Sequence, residues 1–358
     1  MEDTFQTEKV RIKDIAEKSG VSIGTVDRVL HNRPNVSAKS RKKVEDVLKE
    51  INYRPNLYAS VLASKKKYAY YCLLPDHDEN AYWVEVERGL TNAVTQGTDF
   101  HLSLKICYYD QFDHCSFSKK SDEILKNNPD GVIIVPQDEA YTIEFCQKLS
   151  ERKIPYTFLD NDLPELQAVT YFGQDAVQSG HFAGHLLMLS GRHTSEIMLM
   201  KLMRNGRVAS HQQRLRENGF KEYMNKHFPD CHIVELQLPL KDEDDYEEEL
   251  NLFFAAHPDI RHCITFSSRA YLLGEYLQRH HITDMHVLGY DMMIRNAESL
   301  KNGGIEFIIA QHPWRQGYQS IQSLSEHIIL KKAVSRYHYM PLELLTAENF
   351  NFYSYYDK

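Results

Sequence analysis

Apolar residues near the N-terminus recur at helical spacing, in short bursts. Ile12, Ile15 and Ala16 fall at i, i+3 and i+4, which predicts an amphipathic helix ending at Ser19-Gly20. Gly20 suits the left-handed conformation that ends one helix and turns the chain. Ser22 is placed to cap a second helix, whose apolar stripe is Val26, Val29 and Leu30. Its other face carries Ile23, Gly24, Thr25, Asp27 and Arg28. The run Asn32-Arg33-Pro34-Asn35 breaks that helix, and Ser37 caps a third with Val44, Val47, Leu48 and Ile51 along one side. Two short helices joined by a glycine turn and braced by a third make a helix-turn-helix. The second helix of such a unit enters the DNA major groove with its N-terminal side chains against base edges. The competing reading is a small helical cap with a solvated basic face.

From Tyr68 onward the period changes. Short β-rich runs stand at 68–74, 102–108, 131–135, 156–159, 197–200, 263–266, 286–290 and 307–310. Helical stretches lie between them, among others 84–95, 142–152, 176–188, 212–226 and 270–279. Strand–helix alternation predicts parallel sheets with helices on both faces, and such sheets bind ligands at the carboxyl ends of their strands. A body of about 290 residues suits two lobes better than one. The expected fold is therefore an all-α helix-turn-helix head followed by an α/β two-lobed body.

Charge divides the chain at the same place. Residues 1–67 carry 15 basic and 9 acidic side chains, a net of +6, while the other 291 carry 27 and 41, a net of −14. A basic head on an acidic body implies that only the head meets a polyanion, with Lys39, Arg41, Lys42 and Lys43 available for phosphates. The six cysteines are scattered without zinc or redox spacing, which fits a reduced cytoplasm. The acidic N-terminus does not read as a secretory signal, and the apolar runs fall short of a membrane span.

Three constellations bear on catalysis or metal binding. His181 and His185 stand i, i+4 but lack an evident third ligand. The acidic run 242–249 lacks the glycine and alternate spacing of a calcium loop and reads as a solvated helix start. Gly303-Gly304 is not followed by a phosphate-loop lysine. No catalytic residue, metal or cofactor is expected.

The runs Lys13-Asp14-Ile15-Ala16-Glu17-Lys18-Ser19-Gly20-Val21-Ser22-Ile23-Gly24-Thr25-Val26-Asp27-Arg28-Val29-Leu30, Val36-Ser37-Ala38-Lys39-Ser40-Arg41-Lys42-Lys43-Val44 and Asn52-Tyr53-Arg54-Pro55-Asn56 resemble the start of LacI/GalR-family repressors. The resemblance places positions Ile23, Gly24 and Arg28 in the major groove, with Arg28 suited to bidentate pairing with guanine. It adds Ser22, Thr25, Asp27, Asn35, Ser37, Tyr53 and Asn56 to the DNA surface. The next stretch resembles a hinge that becomes helical on operator DNA, with Ala59 beside it and Leu62 as a minor-groove wedge. Two hinges must meet, so the resemblance implies a homodimer on a palindromic operator. Asp27 departs from the usual serine; it either accepts from a cytosine amino group or fixes Arg28. Arg11 replaces the usual threonine cap, which weakens the start of the first helix.

The body resembles a periplasmic-binding-protein type I effector domain through Asp160-Asn161, Gly173-Gln174-Asp175, Arg216-Glu217-Asn218-Gly219-Phe220, Gly289-Tyr290-Asp291 and Gln311-His312-Pro313. The resemblance implies two α/β lobes crossed three times by the chain, with ligand in the cleft. Arg216, Asp291 and Gln311 match family ligand positions, and carboxylates, amides and guanidinium groups suit paired hydroxyls. Trp83, beside Tyr82 in the loop after the first body strand, is the expected platform for a sugar face, although packing alone would also hold a tryptophan. Asp160, Asn161 and Asp110 follow strands, where a turn or cap role competes. Ser267 and Ser268 replace a common asparagine–aspartate pair, so that wall is expected to be wider or to read a different group. This leaves room for a carboxylated or otherwise unusual sugar, with Arg269 as a candidate second cation.

The expected divisions are a DNA-binding domain at 10–57, a hinge at 58–67 and an effector domain at 68–358. Its first lobe spans about 68–171 and 312–338, and its second about 172–311 and 339–358. The expected function is a cytoplasmic repressor of transcription sensing a sugar or sugar derivative. The alternatives are a corepressor-type regulator of a non-sugar metabolite and a carbohydrate-modifying enzyme with a DNA-binding head.

Overall fold

Local capping explains where the first helices begin and end. The computed structural model describes residues 11–30, 33–51, 53, 66–79, 82–96, 101–136, 138–190, 194–204, 206–208, 210–240 and 245–353. Helices α1 (Ile12–Ser19), α2 (Ile23–Leu30) and α3 (Ala38–Glu50) fall within a first unit, residues 1–65. Gly20 closes α1 at φ +64°, and the Ser22 hydroxyl accepts from the Thr25 N–H at 3.2 Å. Ser37 opens α3 by accepting from the Ser40 N–H at 3.1 Å. Arg11 supplies no acceptor, yet the Asp14 carboxylate takes the Arg11 N–H at 2.8 Å. The start of α1 therefore keeps half of a reciprocal cap, a correction to the weak start expected there. Ile15, Ala16, Val26, Val29, Val44 and Val47 form the core of this unit.

The second unit, residues 66–358, is built on two sheets. The first takes strands β1 (Tyr68–Pro75), β2 (Leu102–Tyr109), β3 (Gly131–Ile134), β4 (Tyr156–Leu159) and β5 (Thr170–Gly173). The second takes β6 (Glu196–Arg204), β7 (Arg207–Val208), β8 (His232–Pro239), β9 (His262–Thr265), β10 (His286–Tyr290) and β11 (Phe307–Ala310). Strand β12 (Tyr337–Tyr339) returns to the first sheet and β13 (Glu343–Leu345) to the second. The first sheet runs β12-β5-β4-β3-β1-β2, all parallel. The second runs β13-β11-β10-β9-β6, with β8 parallel beside β6; β7 and β13 are antiparallel. Strands β3, β4, β5 and β9 are buried along their whole length, as parallel strands covered on both faces must be. The edge strands β2 and β8 alternate between buried or half-buried and exposed positions.

Helices α4 (Tyr82–Gln96), α5 (His114–Lys126) and α6 (Glu139–Glu151) belong to the first sheet. Helices α7 (Ala176–Ser190), α8 (His211–His227), α9 (Glu247–Ala256), α10 (Tyr271–Arg279) and α11 (Ile294–Lys301) belong to the second. Helix α12 (Pro313–Ile328) comes back to pack on α4, and the short α13 (Phe350–Tyr353) joins the second lobe. A Cβ on Gly180 of α7 would stand 2.0 Å from the Arg216 carbonyl of α8, and one on Gly219 equally close to Val177. The two helices thus meet backbone to backbone.

The chain crosses between lobes after β5, after β11 and after β12. Gln174, at the first crossing, donates from its amide to Ala310 O and Pro341 O, both at 2.8 Å. One buried side chain therefore ties all three crossings together. His181 and His185 lie on α7 and bond separately to Glu222 and the Tyr223 hydroxyl. Within the acidic run 242–249 a helix begins at Glu247, whose N–H bonds Asp245; residues 242–244 are outside the described residues.

Candidate functional site

A cavity of about 770 Å³ opens between the two sheets of the second unit, at the carboxyl ends of their strands. Asp76 follows β1, Asp110 follows β2 and Asp160 follows β4; Ser267 comes two residues after β9. Asp291 follows β10 and Gln311 follows β11. Arg204 ends β6, and Gln212 and Arg216 project from successive turns of α8. Asp160 and Asp291 both take left-handed backbone, at φ +65° and +67°, a conformation aspartate tolerates better than most residues. Turn chemistry alone would favour aspartate here. It does not explain why both carboxylates are buried.

Arg216 is the centre of this arrangement. Its side chain is fully buried, with the guanidinium carbon 4.1 Å from the centroid of the Tyr290 ring. Its Nη2 donates to Gln174 Oε1 at 3.5 Å, and its Nε has no partner among the described residues. Burial pushes the Asp160 carboxyl up to about 7, against the opposing pull of Arg216 and with added repulsion from Asp291. Burial raises Asp291 too, while Arg216 and the Gln311 amide, at 2.5 Å, hold it down. Gln212 donates to Asp160 O and to Gln311 Oε1, at 3.1 and 3.2 Å. Two carboxylates, one guanidinium and two amides thus converge in a low-dielectric cleft. Such a set offers acceptors and donors in pairs, the chemistry that vicinal hydroxyls need.

Tyr82 and Trp83 line the cavity, but in the first turn of α4 rather than in a loop. Their rings meet edge to face at 5.0 Å, and the Gln316 amide donates to the Tyr82 hydroxyl. The helix begins two residues earlier than its apolar stripe suggested because both aromatics are held by it. Ser267 also lines the cavity, with its hydroxyl 3.0 Å from that of Thr265. Asn161 does not line it. Its amide turns away to Pro136 O at 3.3 Å, just beyond the left-handed turn that Asp160 makes.

Sequence reasoning passed over Gln212, Arg204 and Asn296. Gln212 had a signal, since it shares the Arg216 face one turn earlier. Asn296 had none: it is buried beneath the cleft, donating to Ser268 O, Tyr290 O and Asp291 O and accepting from the Tyr271 N–H. It fixes the turns after β9 and β10 against each other.

In the first unit, Ser22, Ile23, Gly24 and Arg28 are exposed on α2 and Thr25 is half-buried beside them. Asp27 accepts from Arg33 at 3.1 Å. Asn35 is exposed at φ +66°, Ser37 is committed to its cap, and Tyr53 packs against the core. Asn56, Ala59 and Leu62 lie outside the described residues.

The family model for the periplasmic binding protein domain matches residues 71–332, and that for bacterial regulatory proteins of the lacI family matches 11–56. The chain belongs to the LacI family. A solved structure assigned as a LacI transcriptional regulator from Bacteroides fragilis is similar to this LacI-family chain at 42% identity and a TM-score of 0.78. The match covers 80% of this chain and 100% of that one. The HTH-type transcriptional regulator DegA of Bacillus subtilis is 27% identical over 220 residues, which are 61% of each chain, less than two thirds of that relative's length. A glucose-galactose binding protein of Geobacillus stearothermophilus, GanP, shares the fold of the LacI-family body at 20% identity and a TM-score of 0.67, over 80% of this chain and 99% of that one. Among the described residues no helix is long and apolar enough to cross a membrane, and no three histidine, cysteine or acidic side chains group as a metal site.

Proposed function

We propose that this chain is a DNA-binding regulator of transcription whose activity a polyhydroxylated ligand controls, acting as a repressor released by a sugar or sugar derivative. The observation that carries the reading is Arg216, buried against Tyr290 with Asp160 and Asp291 in the same cleft, on a chain that opens with a helix-turn-helix. On this reading residues 10–57 bind DNA, 58–67 form the hinge and 68–358 sense the ligand. Arg28 reads a base, Ile23, Gly24 and Thr25 fit the groove, and Leu62 wedges the minor groove of a palindromic operator held by a homodimer. The relatives' names as transcriptional regulators support a cytoplasmic sensor that binds its ligand without turning it over.

Ligand closes the cleft, the lobes rotate about the three crossings, and the free energy of DNA binding changes. The test is fluorescence anisotropy of the full chain on DNA selected from a random library, followed by titration with mono- and disaccharides, sugar acids and purines. A near-palindromic preference with steep salt dependence, relieved by a saccharide, is the expected result. Tightening by the ligand would make it a corepressor. Binding with no sequence preference, or a response to purines alone, would sink the reading.

A further inference from the structure

Among the described residues that line the cleft, the two walls differ in charge. The first lobe contributes Asp76, Asp78, Asp110 and Asp160, together with His77. The second contributes Arg204, Arg216, Arg269 and Arg295, and the carboxylate Asp291. A neutral sugar needs carboxylates and one guanidinium, and Asp160, Asp291 and Arg216 already supply both at depth. The other arginines exceed that need.

Arg295 has a structural duty, since it forms a bidentate pair with Glu275 at 2.8 and 2.7 Å. Arg204 differs. It is exposed at the cleft rim, no ion pair of it is found among the described residues, and its guanidinium carbon lies 5.2 Å from the centroid of Phe112 in the opposite lobe. A guanidinium lying over a ring uses its face and keeps its N–H edge for an acceptor. Arg269 lines the same cavity from the irregular segment between β9 and α10. Ser267 and Ser268, with short side chains, line the same cavity.

We propose that Arg204 and Arg269 form a subsite for an anionic substituent, so that the ligand is a polyol bearing a carboxylate or phosphate. The inference rests on the polyol reading of the deep site. The polyol end lies against Asp160, Asp291, Arg216 and Gln311, and the anion points outward along the second lobe. A carboxylate placed at depth would instead meet two buried carboxylates, so the polarity of the cleft also sets the ligand's direction.

The test is isothermal titration of the full chain with neutral hexoses and, for each, its uronic acid and its 6-phosphate. One acid or phosphate should bind at least about tenfold more tightly than its neutral parent, since charge-assisted bonds to arginine are the stronger kind. Which of the two binds distinguishes the carboxylate from the phosphate. Arg204→Gln and Arg269→Gln should each remove most of that advantage and weaken the anionic form far more than its neutral parent; unchanged melting of the ligand-free variants verifies folding. Neutral hexoses binding as tightly as their anionic forms would overturn the subsite while leaving the polyol reading intact. Tight anionic binding that both variants retain would also overturn it. If no polyol of any charge binds, both readings fall.

Discussion

The guanidinium of Arg216 lies over the ring of Tyr290, 4.1 Å from its centroid, and no carboxylate among the described residues bonds to it directly. Asp160 and Asp291 feel its charge through a buried medium rather than through ion-pair contacts. A ligand hydroxyl can therefore bond to carboxylate and guanidinium without first breaking a salt bridge. That is pre-organisation for a polar ligand.

Removing this cation should be costly. Arg216→Met keeps the volume and removes the positive charge that holds both carboxyls down, so stability at pH 8 should fall by ~0.5–3 kcal/mol. The loss should be larger at pH 8 than at pH 6, because protonation relieves it. Chemical denaturation at the two pH values checks this, and an equal loss at both would contradict it.

Asp160 has a folded pKa of about 7 against an ordinary 3.8. The folded chain therefore holds a proton there that the unfolded chain releases between about pH 4 and 7. The sign follows: this group's contribution to stability declines as pH rises through that window. Asp160→Asn should melt higher than wild type at pH 8, with the difference shrinking by pH 5, as calorimetry would show. Ligand affinity in the wild type should rise through pH 7, since the ionised carboxylate accepts hydroxyl hydrogen bonds at both oxygens and its charge strengthens them.

Gly180 tests how α8 carries Arg216. A Cβ there would collide with the Arg216 carbonyl at 2.0 Å, so Gly180→Ala must push α7 and α8 apart. Overpacking of this kind destabilises by ~1–3 kcal/mol. The larger effect should be on ligand affinity, because the displaced segment is the one bearing the guanidinium. Titration showing unchanged affinity would mean that Arg216 is not positioned by this crossing.

Arg28→Ala should weaken binding to the preferred DNA by ~1–3 kcal/mol and relax the choice at one base position. Lys39→Ala should weaken binding to all sequences alike and lower the salt slope by about 1. Anisotropy across a salt series separates the two. An Arg28→Ala protein with unchanged sequence preference would remove Arg28 from base reading.

Much was legible in the sequence because its signals are local. The stripes of α1, α2 and α3, the Gly20 turn and the Ser22 and Ser37 caps depend on neighbours within a turn or two, and so do the buried runs of β1, β3 and β4. Residues that follow a strand, such as Asp160, Asp291 and Gln311, could be named for the same reason. What the tertiary structure decided depends on chain segments far apart. Gln174 meets Ala310 and Pro341 across 136 and 167 residues, and Asn296 clamps two turns beneath the cleft. Asn161 points away although Asp160 beside it points in, and no periodicity distinguishes them. The opposed charge of the two walls is of the same kind. It exists only once Arg204 at the end of β6 and Arg269 beyond β9 line one side of the cavity and Asp76, Asp110 and Asp160 line the other.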